Sequence, residues 1–349
     1  MKIEKKNLRK ILACLMIICM LALTGCGADS SATSTDATDA TETATVPYPD
    51  AADTVSEVIN IAALNGPTGM GMVKLMDQTD KYAVTTYQAA TDITGKLISG
   101  EVDVAALPSN MAAVLYNKTQ GQVVAVSPIA LGVLYILGNG VEITDVKDLA
   151  GKTIYSSGQG GTPEYVLQKV LENAGLTIYE DVQVEWLASH ADVNQKLLSE
   201  EGTIAMVPEP FVSTALASSE TVSQLFDLNE LWNEATGEAL PMGVLVATKS
   251  FVDEHEADLE VLLNDYQKSV DFVNNDETAA SLIVEKGFLG KEEIAKTAIP
   301  RCNIVLYAGE NASEGTEILK TFNQTLYDMN PQAVGGSLPG DELYFGAAE

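Results

Sequence analysis

KLISGEVDVAALPSN at residues 96–110 and KLLSEEGTIAMVPEP at residues 196–210 lie 100 positions apart, and together they decide the fold. Each reads as the end of an amphipathic helix (Leu97 and Ile98; Leu197 and Leu198), then a turn, then a short apolar strand closed by Pro108 or Pro208. The match continues upstream, where Thr91, Asp92 and Ile93 align with Ala191, Asp192 and Val193. Further back, each copy has another apolar strand that leads into a glycine-rich turn and a helix. These are residues 58–64 before NGPTGMG, and residues 152–155 before SSGQGGTPE. Two copies of so long a period do not make a solenoid. They make two similar βαβαβ halves, and two such halves facing each other leave a cleft between lobes.

Periodicity gives the fold class. Residues 58–64, 102–107, 123–126 and 204–207 are short, nearly continuous apolar runs, as expected for strands covered on both faces of a parallel sheet. Between them lie helical patterns. Val166, Leu167, Val170, Leu171 and Ala174 share one face, and Gln168, Lys169, Glu172 and Asn173 the other. The expected class is α/β, two-lobed, each lobe a mostly parallel sheet flanked by helices, with a helical C-terminal segment. GVLYILG (132–138) and MGVLVATK (242–249) bracket the second copy and read as crossings between lobes. The first lobe is then 55–138 with 243–349, and the second 139–242, a hinge arrangement.

The N-terminus stands outside this scheme. Lys2, Lys5, Lys6, Arg9 and Lys10 precede an unbroken apolar run of 13 residues, 11–23. That run is short for a membrane span, which takes about 20 residues, and fits a secretory signal over residues 1–25. Leu23-Thr24-Gly25-Cys26 resembles the lipobox of bacterial lipoproteins, which implies cleavage before Cys26 and lipidation of its sulfur. The alternative is an ordinary signal with an incidental cysteine. Residues 26–54 read as a tether, since 28–45 is almost wholly Ser, Thr, Ala, Asp and Glu and cannot bury apolar surface. Cys14 and Cys19 leave with the signal, so with Cys26 lipidated only Cys302 remains, and no intramolecular disulfide forms.

The formal net charge is −29, and removal of residues 1–25, with five basic residues and one acidic, leaves −33. Such a balance argues against nucleic acid and against adsorption on an anionic membrane. It suits a body held at a membrane only by a lipid anchor.

In open parallel sheets, ligands sit beyond the carboxyl ends of the strands. The candidates in the first lobe are therefore Asn65, Gly66, Thr68, Gly69 and Met70, then Gln88, then Ser109 and Asn110. In the second lobe they are Ser157, Gln159, Gly161 and Thr162, then His190, then Glu209. Glycine turns let a ligand approach the backbone, and each feeds a helix whose first N–H groups are unpaired. Thr162-Pro163 has the form of an N-cap followed by proline at the first helical position. Neither turn has the spacing of a P-loop or of a dinucleotide fingerprint. No metal cluster, cofactor motif or activated nucleophile is evident. His190 either donates to a ligand or caps its helix. Glu209 either binds a cationic or amine group or is a helix-start acid. His255, in DEHEADLE, reads as a solvated helix residue. Met70, Tyr87 and Met242 are candidate apolar walls, or core.

KLISGEVDVAALPSN, SSGQGGTPEYVLQKVLENAGL and MGVLVATKSFVDEH, with the lipobox and the acidic tether, resemble extracytoplasmic solute-binding proteins of ABC importers. Within these the chain is similar to the branch that includes sulfonate-, taurine-, nitrate- and thiamine-pyrimidine-binding proteins. The resemblance covers residues 55–349. It implies a type II periplasmic-binding-protein-like fold, closing as a monomer on a small organic solute. It implies docking on a permease with its ATPase, at the outer face of the bacterial cytoplasmic membrane. The binding loops of the family fall on 65–70, on Ser109 and Asn110, and on 157–162. None contains the arginine that anion binders of the branch often use. The alternatives are a secreted enzyme on the same fold, such as a thiamine-pyrimidine synthase-like protein, and a sensor lipoprotein that presents ligand to a receptor.

Overall fold

The computed structural model describes residues 46–347. The expected signal, Cys26 and most of the tether lie outside the described residues.

The first copy forms β1 (Ile59–Leu64), α1 (Pro67–Met70), β2 (Tyr82–Tyr87), α2 (Ala90–Ser99), β3 (Val104–Pro108), α3 (Asn110–Thr119) and β4 (Val123–Leu131). The second forms β5 (Leu134–Asn139), β6 (Thr153–Ser156), α4 (Thr162–Asn173), β7 (Gln183–Trp186), α5 (His190–Ser199), β8 (Ile204–Pro208), α6 (Phe211–Ser218), β9 (Val222–Asp227) and α7 (Leu228–Thr236). The chain returns through β10 (Pro241–Thr248). It ends in α8 (Lys249–Glu254), α9 (Glu256–Asn275), α10 (Ala279–Glu285), α11 (Glu292–Ala298) and α12 (Ala312–Met329).

Two five-stranded sheets result, ordered β2-β1-β3-β10-β4 and β7-β6-β8-β5-β9. Their plans are the same. Four strands run one way, and the fourth position is taken by a strand that arrives from the other lobe and runs against its neighbours. β10 pairs antiparallel with β3 and β4; β5 pairs antiparallel with β8 and β9. The sheets are therefore mixed, where the apolar runs alone suggested mostly parallel ones. A reversed central strand is buried on both faces like its neighbours, so its composition does not betray its direction.

The pairing also places the crossings. Residues 134–138, expected as a crossing, belong to a strand of the second sheet, in register with 204–208. The chain changes sheets over Gly132 and Val133, and returns ahead of Pro241. Gly132 has no room for a side chain, because a β-carbon there would lie 2.2 Å from that of Asn229 in α7.

Both faces of each sheet are covered. Ile59, Ile61 and Ala63 face α9 and its neighbours, whereas Ala62 joins a cluster that runs through both lobes. That shared cluster includes Leu97 and Ala105 of the first lobe, Ile136, Leu167 and Trp232 of the second, and Phe322 and Leu326 of α12. Trp232 and Phe322 meet with ring centroids 5.9 Å apart.

The described end of the expected tether is docked on α9. The Tyr48 amide donates to Asn264 Oδ1 at 2.8 Å, and Asn264 Nδ2 donates back to the Tyr48 carbonyl at 2.6 Å. The Ser56 amide donates to Asp258 at 2.8 Å. His255, expected to be solvated, is half-buried. It stacks on Phe251 at 5.5 Å and lies 3.1 Å from Asp258 Oδ2. Cys302 is free and buried in the apolar cluster around α9, as its CNIVLY setting suggests.

Candidate functional site between the lobes

β1, β3, β6 and β8 end at Leu64, Pro108, Ser156 and Pro208, and both crossing strands start at these same edges. The carboxyl edges of the two sheets are thus joined by the two crossings. The residues just beyond them form a polar centre with contributions from both lobes. Thr68, Ser109, Asn110, Ser157, Thr162 and Glu209 lie there, none more than 8% exposed. Six polar side chains buried this deeply need partners, since an unpaired buried polar group costs about 1–3 kcal/mol.

The partners show what the site is. Thr162 Oγ1 donates across the interface to Asn110 Oδ1 at 3.3 Å, and Asn110 Nδ2 donates to the Ala333 carbonyl at 3.1 Å. Thr162 was expected as the N-cap of its helix. The cap is Gly161, with extended backbone, and Thr162 is the first helical residue. Its hydroxyl is therefore released for the opposite lobe. Thr68 Oγ1 donates to the Leu64 carbonyl at 3.2 Å. Ser109 precedes α3 without capping it, and its hydroxyl is buried with no partner among the described residues.

Ser157 Oγ lies 2.6 Å from His190 Nδ1. Ser189 caps α5 by accepting from the Asp192 amide at 3.2 Å, so the cap role weighed for His190 falls to its neighbour. Burial pushes the His190 imidazole down to about 4, so at neutral pH it is uncharged. A serine beside a histidine suggests nucleophilic catalysis, which needs a third group to orient the base. The nearest acid in sequence, Asp192, accepts from Ser189 Oγ at 2.7 Å instead. The pair is better suited to holding a neutral hydrogen-bonding group than to taking a proton.

Glu209 forms the other flank. Its carboxylate accepts from the Ser213 amide at 3.2 Å and from Ser213 Oγ at 3.1 Å, and it is paired with Arg301 Nε. Burial pushes the carboxyl above its ordinary range, against the pull of Arg301 and Ser213. Arg301 is missing from any reading of the loops, because it lies in the return segment after α11, 92 residues along the chain. It also donates to Gln224 at 2.7 Å and lies 4.1 Å over the Tyr135 ring. Glu209 is thus a helix-start acid, one of the two roles weighed for it, and also half of an ion pair between lobes, with Arg301 as a partner that the local sequence does not announce.

The remaining candidates are placed differently. Met70 is fully buried in the core of the first lobe and not at the cleft surface. Asn65, Gln88 and Gln159 are exposed. The turn 158–161 does not offer a free anion cradle. Its Gly160 N–H donates to Glu164 at 2.6 Å, so the carboxylate of α4 itself occupies the helix start. α1 has only four residues and carries no long helix behind the Gly66 turn. Gly66 does need to be glycine, at φ 136°. Gly69 needs to be small, because a β-carbon would meet the Phe288 ring at 2.5 Å and the Leu64 carbonyl at 2.7 Å. Among the described residues, no group of His, Cys, Asp and Glu is arranged to hold a metal ion. No helix among them is long and apolar enough to cross a membrane.

The same architecture occurs in solved structures. An ABC transporter from Parabacteroides distasonis superposes with a TM-score of 0.69 at 22% identity, over 82% of this chain and 98% of that one. The periplasmic aliphatic sulphonate binding protein SsuA of Escherichia coli gives 0.63 at 17%, over 80% and 90%. The alkanesulfonate-binding protein SsuA of Xanthomonas axonopodis pv. citri, bound to MOPS, gives 0.62 at 12%, over 82% and 96%. These superpositions establish a common fold, the periplasmic-binding-protein architecture that the resemblance implied. No curated protein sequence matches the chain. The NMT1-like family is matched over residues 74–285, which include both crossings and all of the second lobe, and the chain belongs to that family.

Proposed function

We propose that the protein is the extracytoplasmic solute-binding component of an ABC importer, taking a small organic solute between its lobes and delivering it to a permease. One observation carries this reading. Side chains from both carboxyl edges meet in a buried polar centre, where Asn110 and Thr162 bond across the interface and Ser109 is left without a partner among the described residues. A ligand that bonds to both edges stabilises the closed arrangement over the open one, which is all that a population shift requires. Lipid anchoring at Cys26, after removal of residues 1–25, fits the acidic body and would keep it beside a permease.

The test is native mass spectrometry of protein purified without refolding, followed by small-angle scattering before and after the carried molecule is removed. A stoichiometric small molecule, and a larger radius of gyration once it is gone, are expected. Catalytic turnover of that molecule in place of stoichiometric binding would sink the reading in favour of an enzyme.

A further inference from the structure

A second feature lies beside the polar centre. α5, the start of α6 and residues 288–289 of the return segment line an open groove of about 560 Å³. Ala191, Leu198, Pro210 and Phe211 come from the second lobe, and Phe288 and Leu289 from the first. None of its ten lining residues is charged, in a chain of net charge −29. The polar atoms in its wall belong to neutral groups. One of them, the carboxamide oxygen of Asn194, is buried without any partner among the described residues.

Two of its wall side chains, Phe211 and Phe288, reach residues at or next to the polar centre. The Phe211 ring lies 5.7 Å from that of His190, which holds Ser157. Phe288 packs on Gly69, beside Thr68. Apolar walls next to a few placed polar groups are the ordinary make-up of a small-molecule site, and the volume is of that order. A charged group in such a wall would lose its hydration without gaining a partner.

We infer that this groove receives an uncharged hydrocarbon portion of the solute, aromatic or alkyl, whose polar end lies at Ser109, Ser157 and His190. The solute is then an elongated amphipathic molecule, gripped at its apolar end by one wall from each lobe. This rests on the binding reading above and narrows the class of solute.

The neutral fluorophore N-phenyl-1-naphthylamine tests it on the intact purified chain. Saturable binding of one probe per chain is expected. Leu198→Asp removes a second-lobe wall and Phe288→Ala a first-lobe wall, and each should weaken the probe at least tenfold while the thermal transition stays cooperative. Absence of saturable binding overturns the inference. So does a loss confined to one of the two variants, which would mark a surface patch on a single lobe. The polar centre is scored separately, by whether Asn110→Ala loses the molecule carried through native purification. Loss there with unchanged probe binding in both wall variants removes the groove alone. Retention there shows that the polar centre does not hold the molecule and removes the occupant assigned to the groove, whereas a wild type that carries no molecule removes the binding reading itself.

Discussion

Thr162 and His190 carry their consequences as single side chains. The Thr162 hydroxyl is the one donor to Asn110 Oδ1, and both residues are buried. Thr162→Val keeps the shape and leaves that oxygen unpaired, so chemical denaturation should show a loss of about 1–3 kcal/mol. Thr162→Val together with Asn110→Leu should lose less than the sum of the two single changes, because Asn110 Oδ1, orphaned by the first change, is absent from the double variant. His190 makes stability depend on pH. Its folded value, about 4, lies below the ordinary histidine value of about 6.5. Between those limits the unfolded chain binds the extra proton, so stability rises with pH through that window. Its contribution is complete above about pH 6.5 and is lost as pH falls toward 4, by up to about 3 kcal/mol. His190→Gln should flatten this part of the profile in denaturant titrations at pH 7, 5.5 and 4.5. A profile as steep as that of the wild type would show that another group is responsible. The Arg301–Glu209 pair differs in kind, since removing one member strands a charge. Arg301→Ala should cost about 3–5 kcal/mol, and adding Glu209→Gln should recover part of it.

At the scale of elements, the hinge is built by what surrounds it more than by its own sequence. Gly132 is pressed between Asn229 of α7 and Asn303, whose side-chain amide donates to the Gly132 carbonyl. Gly132→Ala should therefore destabilise by about 1–3 kcal/mol, and Asn229→Gly should restore much of that loss in the double variant. Equal losses in the single and double variants would show that the contact with Asn229 is not the cause. The repeat at 96–110 and 196–210 was legible because each strand end is local. A helix, a turn and a proline-terminated apolar run need no information from elsewhere. Direction of the fourth strand was not legible, because β5 and β10 are as apolar as the parallel strands around them. The site split along the same line. Residues in the loops after a strand, Thr68, Ser109, Asn110, Ser157 and Thr162, were placed at the candidate site by topology. Arg301 and Phe288 were not, because they reach the cleft from a helical return segment with no strand to announce them. Met70, weighed as cleft wall or core, is core: a step along a short helical turn is enough to move a side chain from cleft to core.

The whole molecule combines two lobes with one core, and these make different demands. Lobes that close on a solute must turn about Gly132, Val133 and the approach to Pro241. Yet the apolar cluster behind them is continuous from Leu97 and Ala105 through Ile136 and Trp232 to Phe322 and Leu326. α12 supplies the join, packing on β4 and β10 of the first sheet while Phe322 meets Trp232 of the second lobe. The cleft side is therefore polar and separable, and the rear is apolar and shared. Wide separation of the lobes would expose that core, so closure as proposed here is expected to be a rotation about the shared edge. Two lobes with private cores unfold as two units, whereas a shared core couples them into one transition. Calorimetry of the wild type should accordingly give a single peak, with calorimetric and van't Hoff enthalpies equal. Phe322→Ala removes the ring that touches Trp232 and should cost about 3–5 kcal/mol. Because that loss falls on the join, it should also broaden or split the peak, with the calorimetric enthalpy exceeding the van't Hoff value. A core deletion within one lobe, Ile61→Ala in β1, should lower the midpoint and leave one peak. If Phe322→Ala behaved in the same way, the cluster would not be what couples the lobes, and the crossing strands β5 and β10 would have to carry the coupling instead.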